Sequence, residues 1–435
     1  MFRHIAAAAL AGLLGCGAAQ AATTVPGGNY GTVSLFKPAG EMQGFVVLFS
    51  DAAGWRPSDQ KASETLARNG AMVVGVDTAR YAQTLATVKE SCHNLLGDAE
   101  AMAHQLQREA RSDRYMSPIL AGTGQGATLA RLMLARAPAN TAAGAIVIDP
   151  AAKLDARFNP CPADSTISRG KGLPGFLESG SALSDASGSD KAPLRHFAPG
   201  TSSADMMSAL AAAHLRPRNS GEEDVSDLPL IELPAAQASD MLAVVISGDG
   251  GWRDLDKSIA ENLQRRGIPV IGVDSLRYFW SVKTPQQTSR DIARVLQTYG
   301  SRWHTRHIAL IGYSFGADVM PFVYNRLPEA LRARVSYVSL LGFAPNADFQ
   351  IRVTGWLGMP ASDKALPAVP EVRKMPPAIV QCVYGKDEDD SACPALVHTG
   401  VTLLRTDGGH HFGKDYDALA SAIVDGWRRQ IAAHP

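Results

Sequence analysis

The chain has no excess of charge of either sign, with lysine plus arginine numbering 42 and aspartate plus glutamate also 42. Without a whole-molecule basic field, nothing argues for nucleic acid as a partner. Charged residues are only 19% and hydrophobic residues 46%, which excludes the low-hydrophobicity, high-charge regime of disordered chains. Long apolar segments are also missing: the run from Ile5 to Leu14 is too short to span a bilayer as a permanent helix. Cysteine is scarce, and no cysteine–histidine spacing suggests a zinc site; no metal or organic cofactor is implied.

What is present at the amino terminus is a secretory pattern. Arg3 and His4 precede the apolar run, and small residues end in Ala19-Gln20-Ala21, the layout of a cleavable signal peptide over residues 1–21. Leu13-Leu14-Gly15-Cys16 loosely resembles a lipobox and leaves a lipid-anchored form as the alternative. If Cys16 departs with the leader, Cys92, Cys161, Cys382 and Cys393 remain. An even number in an oxidising compartment fits two disulfides, Cys382–Cys393 and Cys92–Cys161. The first closes a short loop containing Asp387, Glu388, Asp389 and Asp390.

At 435 residues the chain suits two domains of about 200 residues each, and an internal repeat divides it. Val46 to Trp55 matches Val244 to Trp252 with one residue of slack, and Leu66 to Tyr81 matches Leu263 to Tyr278, including Gly-Val-Asp and Arg-Tyr. Each copy reads as a buried strand, a glycine-containing turn, an amphipathic helix such as Ser258 to Arg266, and a second strand ending at Asp77 or Asp274. Apolar runs alternating with helical stretches mark βαβ units of a doubly wound, mostly parallel sheet. A third strand, Ser117 to Ala121 or His307 to Ile311, leads into a glycine-rich turn. The predicted organisation is α/β, with two domains of the α/β-hydrolase kind. A degenerate one spans 22–227, with flexible segments at Ser181 to Ser189 and Asn219 to Asp227, and a catalytic one spans 228–435.

The two turns assign these roles. Gly312-Tyr313-Ser314-Phe315-Gly316 has the G-x-S-x-G pattern, in which a strand bending sharply into a helix exposes the serine and flanking glycines leave room for the bend. The amino-terminal counterpart, Gly122-Thr123-Gly124-Gln125-Gly126, has glycine where the nucleophile belongs. A helix from Ala317 to Arg326 follows Ser314, with Pro321 expected to bend it or confine it to the first turn. A serine hydroxyl needs a base, and the base a carboxylate to orient it. In this fold the chain order is serine, acid, histidine. After a strand from Ala378 to Tyr384 comes the acidic loop, with Glu388 at the usual spacing and Asp390 and Asp387 as alternates. After a strand from Val401 to Leu404 comes Gly408-Gly409-His410-His411, then a helix from Tyr416 to Ala433. His410, directly after the glycine turn, is the preferred base and His411 the alternate.

The oxyanion of an acyl-transfer intermediate needs backbone N–H donors. Phe315 supplies one, and Gly250 or Gly251 in Ser247-Gly248-Asp249-Gly250-Gly251-Trp252 the other; Trp252 itself reads as core. Asp249 is unusual there, because a carboxylate opposes the developing negative charge; a cationic group on the substrate would compensate it. Arg277 and Lys283, flanking an aromatic run, suit a phosphate or lipid head group, or a packed loop with snorkelling cations.

With Ser-Gly-Asp-Gly-Gly-Trp, Gly-Val-Asp-Ser-Leu-Arg-Tyr-Phe-Trp, Gly-Tyr-Ser-Phe-Gly-Ala-Asp and Gly-Gly-His-His-Phe in order, the carboxy-terminal half resembles the VirJ/AcvB bacterial virulence protein family. The degenerate first copy makes the whole similar to the longer AcvB form. The resemblance implies a periplasmic serine esterase that removes lysine or alanine from aminoacyl-phosphatidylglycerol at the membrane surface. Asp249 would then meet the ammonium, and Lys283 or Arg277 the phosphate. The competing readings are an accessory or binding protein working with secretion-system proteins, and a carboxylesterase without lipid preference.

Overall fold

The computed structural model describes residues 22–138, 140–162, 173–183, 194–215, 225, 227–352 and 362–433. The leader lies outside them, as do most of Asn219 to Asp227 and the stretch from 184 to Ser189. Ser181, predicted to open a flexible segment, instead ends the strand Phe176–Ser181 and is buried.

Two sheets carry the fold. The first orders its eight strands Thr23–Pro26, Thr32–Phe36, Ala71–Val76, Gly44–Phe49, Ile119–Thr123, Gly144–Ile148, Phe176–Ser181 and Leu194–His196. The second orders seven as Leu230–Leu233, Val270–Val273, Met241–Ile246, His307–Tyr313, Val335–Leu341, Val380–Gly385 and Thr402–Thr406. Apart from the extra leading strand, the two orders are the same. Pairing is parallel throughout except at the edge near each start, where Thr32–Phe36 and Leu230–Leu233 run antiparallel to their neighbours. The central strands are buried on both faces, as a sheet flanked by helices requires.

The repeat is stricter in space than in sequence. Ser50 and Ser247 play one role: each hydroxyl accepts from the backbone N–H of the residue opening the helix after the second strand, Thr78 or Ser275. Each backbone carbonyl in turn accepts from that residue's hydroxyl. Asp77 and Asp274 both cap those helices, accepting from the N–H of Arg80 and Arg277 at 3.1 and 3.2 Å. Such caps bond a helix-end donor that would otherwise lack a partner. Trp55 and Trp252 lie over Gly75 and Gly272, where an added Cβ would come within 2.3 and 2.4 Å of the indole. These pairings leave no slack residue: Asp51 corresponds to Gly248, and Ala53 to Gly250.

A hydrophobic core on one face of each sheet is private to its half, while a third is continuous across both and contains Tyr115 and Trp280. The halves are therefore joined by a shared interior. Trp280 is fully buried, donates its indole N–H to the Ser112 carbonyl, and has the Arg108 guanidinium 3.6 Å from its ring centroid.

The disulfides form as predicted, Cys92 with Cys161 and Cys382 with Cys393. Among the described residues no helix is long and apolar enough to cross a membrane.

Candidate active site

Ser314 sits between the strand His307–Tyr313 and the helix Phe315–Arg326, at φ 50° and ψ −119°. That left-handed φ is costly for a residue with a Cβ, so the surroundings must impose it. The flanking glycines allow the bend: a Cβ on Gly316 would lie 2.1 Å from the Ile246 carbonyl oxygen, and one on Gly312 2.4 Å from that of Gly316. The Ser314 N–H donates to the Leu341 carbonyl at 2.7 Å, fixing the elbow to the neighbouring strand. Pro321 lies within this helix without ending it or being confined to its first turn.

The acid and the base arrive on two loops that are bonded to each other. Lys386 and Asp387 donate their N–H groups to the Thr406 and Gly408 carbonyls, and Lys386 pairs with Asp407 at 3.1 Å. Gly385 approaches so closely that a Cβ there would be 2.2 Å from the Gly409 carbonyl oxygen. This brings Glu388 onto His410, with Oε1 at 2.5 Å from Nδ1. The other carboxylate oxygen accepts from the Gly385 N–H at 3.1 Å. Asp390 and Asp387 make no hydrogen bond to His410, and His411 instead meets the Tyr313 hydroxyl at 3.2 Å. With Nδ1 engaged by Glu388, Nε2 is the nitrogen left to face a substrate or serine.

His410 stands against the backbone beside Ser314. A Cβ on Gly342, the residue after Leu341, would be 2.7 Å from its Cε1 and 3.0 Å from its Nδ1. Burial lowers the imidazole pKa, but the hydrogen bond and charge of Glu388, with the charges of Asp390 and Asp249, outweigh it, and the net shift is upward. Asp249 and Asp390 are both exposed. A fourth carboxylate, Asp318, was not assigned a role in the sequence. It accepts from the Ala344 N–H at 2.7 Å. Burial, then the charges of Asp390, Asp249 and Glu388, push its pKa well up against that hydrogen bond. The spacing of Asp318 one turn past Ser314, on the same helix face, is the signal that could have found it.

The amino-terminal elbow shows what the first backbone N–H of such a helix can hold. Gly124 has φ 53° and ψ −121°, nearly the angles of Ser314, and Gln125 stands where Phe315 does. The Gln125 N–H donates to Asp51 Oδ1 at 2.9 Å, so a side-chain carboxyl oxygen sits at the first N–H of that helix. A Cβ on Gly124 would be 2.1 Å from that same oxygen. Asp51 stands where Gly248 does; a Cβ on Gly248 would lie 3.2 Å from the Tyr313 ring and 3.7 Å from the Ser314 Cβ.

The remaining candidates separate. Gly248 is the loop residue lying against Ser314, while Gly250 faces the Arg253 guanidinium and lines a cavity between the halves. The Gly251 N–H is bonded to the Gly248 carbonyl at 3.1 Å. Trp252 is core. Arg277 is committed to Asp274 and to the Ser117 hydroxyl of the first half. Lys283 lines a groove of about 400 Å³ beside Phe349 and Arg352, with its Nζ 5.2 Å from the Tyr278 ring. Edge-to-face ring contacts run between that groove and the elbow through the buried Phe279: Phe315 to Phe279 at 4.8 Å, then Phe279 to Phe349 at 6.1 Å.

No curated protein sequence matches the chain. Among solved structures it is similar to Est1E from Butyrivibrio proteoclasticus with ferulic acid bound (16% identity, 47% of this chain, 96% of that chain, TM-score 0.34). It is also similar to MenH from S. aureus (12%, 46% and 98%, TM-score 0.36) and to a lidless serine hydrolase from Xanthomonas campestris (19%, 46% and 87%, TM-score 0.31). At these scores the likenesses add nothing to the fold, which rests on the sheet order. The sequence model of VirJ, the bacterial virulence protein, matches residues 43–145 and 240–431, covering parts of both halves and every element around Ser314, Glu388 and His410. The chain belongs to the VirJ family of bacterial virulence proteins.

Proposed function

We propose that the protein is a periplasmic serine esterase that hydrolyses the aminoacyl ester of lysyl- or alanyl-phosphatidylglycerol to the free amino acid and phosphatidylglycerol. The observation that carries the hydrolase reading is the Glu388–His410 hydrogen bond of 2.5 Å, held beside a serine at φ 50°. The Ser314 hydroxyl attacks the aminoacyl carbonyl as His410 Nε2 takes its proton, and Glu388 holds the imidazole and stabilises the imidazolium. The tetrahedral oxyanion is met by the Phe315 N–H, whose counterpart in the first half already holds a carboxylate oxygen. His410 then protonates the departing glycerol hydroxyl of the lipid. Water, deprotonated by the same histidine, cleaves the acyl-serine and releases the amino acid.

The substrate class follows from charge. Asp249 and Asp390 place negative potential at His410, which is unfavourable for an anionic acyl group, indifferent to a neutral one and favourable for one bearing an ammonium. Lys283, in the groove beside Phe349, supplies a cation for the phosphodiester. The family resemblance supports the same substrate, and two disulfides fit an exported, oxidising location.

The test is release of amino acid from lysyl- and alanyl-phosphatidylglycerol vesicles by the purified mature chain, beside Ser314→Ala and Asp249→Ala. Release by wild type but not by Ser314→Ala supports the reading. Cleavage of simple esters without amino acid release would reduce it to a carboxylesterase, and no turnover of either would favour an accessory role. If Asp249→Ala keeps the full preference for aminoacylated lipid over neutral esters, the ammonium contact is wrong.

A further inference from the structure

The amino-terminal half has no serine at its elbow, yet besides its contacts around Trp280 it meets the loop that follows the strand Met241–Ile246 and the short helix Ser275–Tyr278. Arg253, directly after Gly250-Gly251-Trp252, crosses to Glu100 on the helix Leu95–Glu109 at 3.2 Å. Asn140 donates to the Trp252 carbonyl at 3.4 Å. Arg277, which pairs with the loop's buried anchor Asp274, donates to Ser117 at 2.9 Å. The Glu100 and Arg253 side chains are 14% and 21% exposed, so water screens this pair less than it would an open surface bridge. The guanidinium turns its Nε and Nη2 edge toward Gly250, each nitrogen 3.1 Å from where a Cβ would stand and Cζ at 3.5 Å.

The internal repeat supplies the comparison. Arg56, the counterpart of Arg253, stays within its own half: it reaches Asp59 at 3.5 Å, Asp51 at 3.9 Å and the Thr123 hydroxyl. In the active copy the same arginine has turned outward to a partner on the other half. There it places positive charge behind a loop whose exposed Asp249 has the sign that opposes an oxyanion.

We infer that the degenerate half is part of the catalytic machinery as a buttress: Glu100 is a positioning residue that, through Arg253, holds the loop Gly248 to Trp252 in the geometry that completes the oxyanion site beside Ser314. The inference rests on the serine-hydrolase reading but not on the identity of the ester. Neither residue touches substrate. Their effect is on how well backbone donors are aimed, which an acyl-transfer site feels steeply.

The experiment is labelling of Ser314 in the full chain by a fluorophosphonate, a probe whose phosphoryl oxygen takes the oxyanion position. The end point counts folded, competent sites, and the rate constant reports site geometry. Glu100→Gln is expected to keep an end point of one label per chain while labelling slows at least tenfold. With a simple ester, kcat falls and KM stays within twofold. Glu100→Asp, which keeps the charge, is expected to recover most of the rate. A Glu100→Gln protein that labels at the wild-type rate overturns the inference. If that variant loses its end point through unfolding, Arg253→Lys decides. It keeps the ion pair but removes the planar group on Gly250, so slowed labelling supports the buttress and an unchanged rate overturns it. Wild type that leaves Ser314 unlabelled would instead sink the hydrolase reading itself.

Discussion

Gly342→Ala tests the site through a single methyl group. The added Cβ would be 2.7 Å from His410 Cε1, 3.0 Å from Nδ1 and 3.4 Å from Glu388 Oε1. Carbon atoms rest at about 3.5–4.0 Å, so the ring must withdraw by roughly 1 Å, lengthening its bond to Glu388 and moving Nε2 away from Ser314. A misplacement of that size costs on the order of 10²-fold in rate, which is about 2.7 kcal/mol of barrier. Gly342 also has φ +64°, so an alanine there carries a backbone penalty of roughly 1–2 kcal/mol in stability. Gly267→Ala separates the two effects: its φ is +81° and nothing lies within 4 Å of its Cβ position. The control is expected to lose the same stability, by urea unfolding, and none of its ester hydrolysis. Gly342→Ala should lose both. Retention of more than about a third of wild-type kcat/KM by a folded Gly342→Ala would refute the placement of His410 as base, because the predicted loss is about a hundredfold.

Two further predictions use the charges and the bridges. His410 must be neutral to accept a proton, and its pKa lies above the ordinary imidazole value because Glu388, Asp390 and Asp249 favour the imidazolium against the opposing effect of burial. Activity should therefore rise with pH through an apparent pKa above 6.5. Asp390→Asn removes one stabilising charge, so its acid limb should move to lower pH; a limb that stays in place or moves up contradicts the assignment. Replacing Cys382 and Cys393 by serine opens the loop that carries Glu388. The expected cost is about 3 kcal/mol of stability with a several-fold fall in kcat. Opening Cys92–Cys161, which closes a longer loop in the other half, should cost about 4 kcal/mol and leave kcat alone; equal kinetic effects would count against the loop's role in holding Glu388.

The features legible in sequence were those whose physics is local. Strand, glycine elbow and helix follow one another around Ser314 within a dozen residues, and the order of Ser314, Glu388 and His410 reflects chain topology, so both could be read without coordinates. The preference for Glu388 over Asp390 and for His410 over His411 rested on spacing, whereas the hydrogen bond between the two needs their loops brought together, which the Lys386, Asp387 and Gly385 contacts achieve. The register of the repeat was read with one slack residue, because Val, Leu and Ile interchange freely along a buried strand. The hydrogen bonds of Ser50 and Ser247 remove the slack, and with it appears the pairing of Asp51 with Gly248. Arg277 illustrates the opposite limit: basic and next to aromatics, it read as a phosphate contact, but its partner Ser117 is 160 positions away, and no local pattern encodes such a contact.

The two elbows also set durability against turnover within one chain. Gly124 adopts φ 53° freely, whereas Ser314 holds nearly the same angle against the repulsion of its own side chain. The amino-terminal elbow is thus free of a conformational tension that the elbow at Ser314 keeps. On the proposed reading, Ser314→Gly should consequently melt above wild type while turning over nothing, with the Gly124 elbow as its built-in counterpart in the same chain.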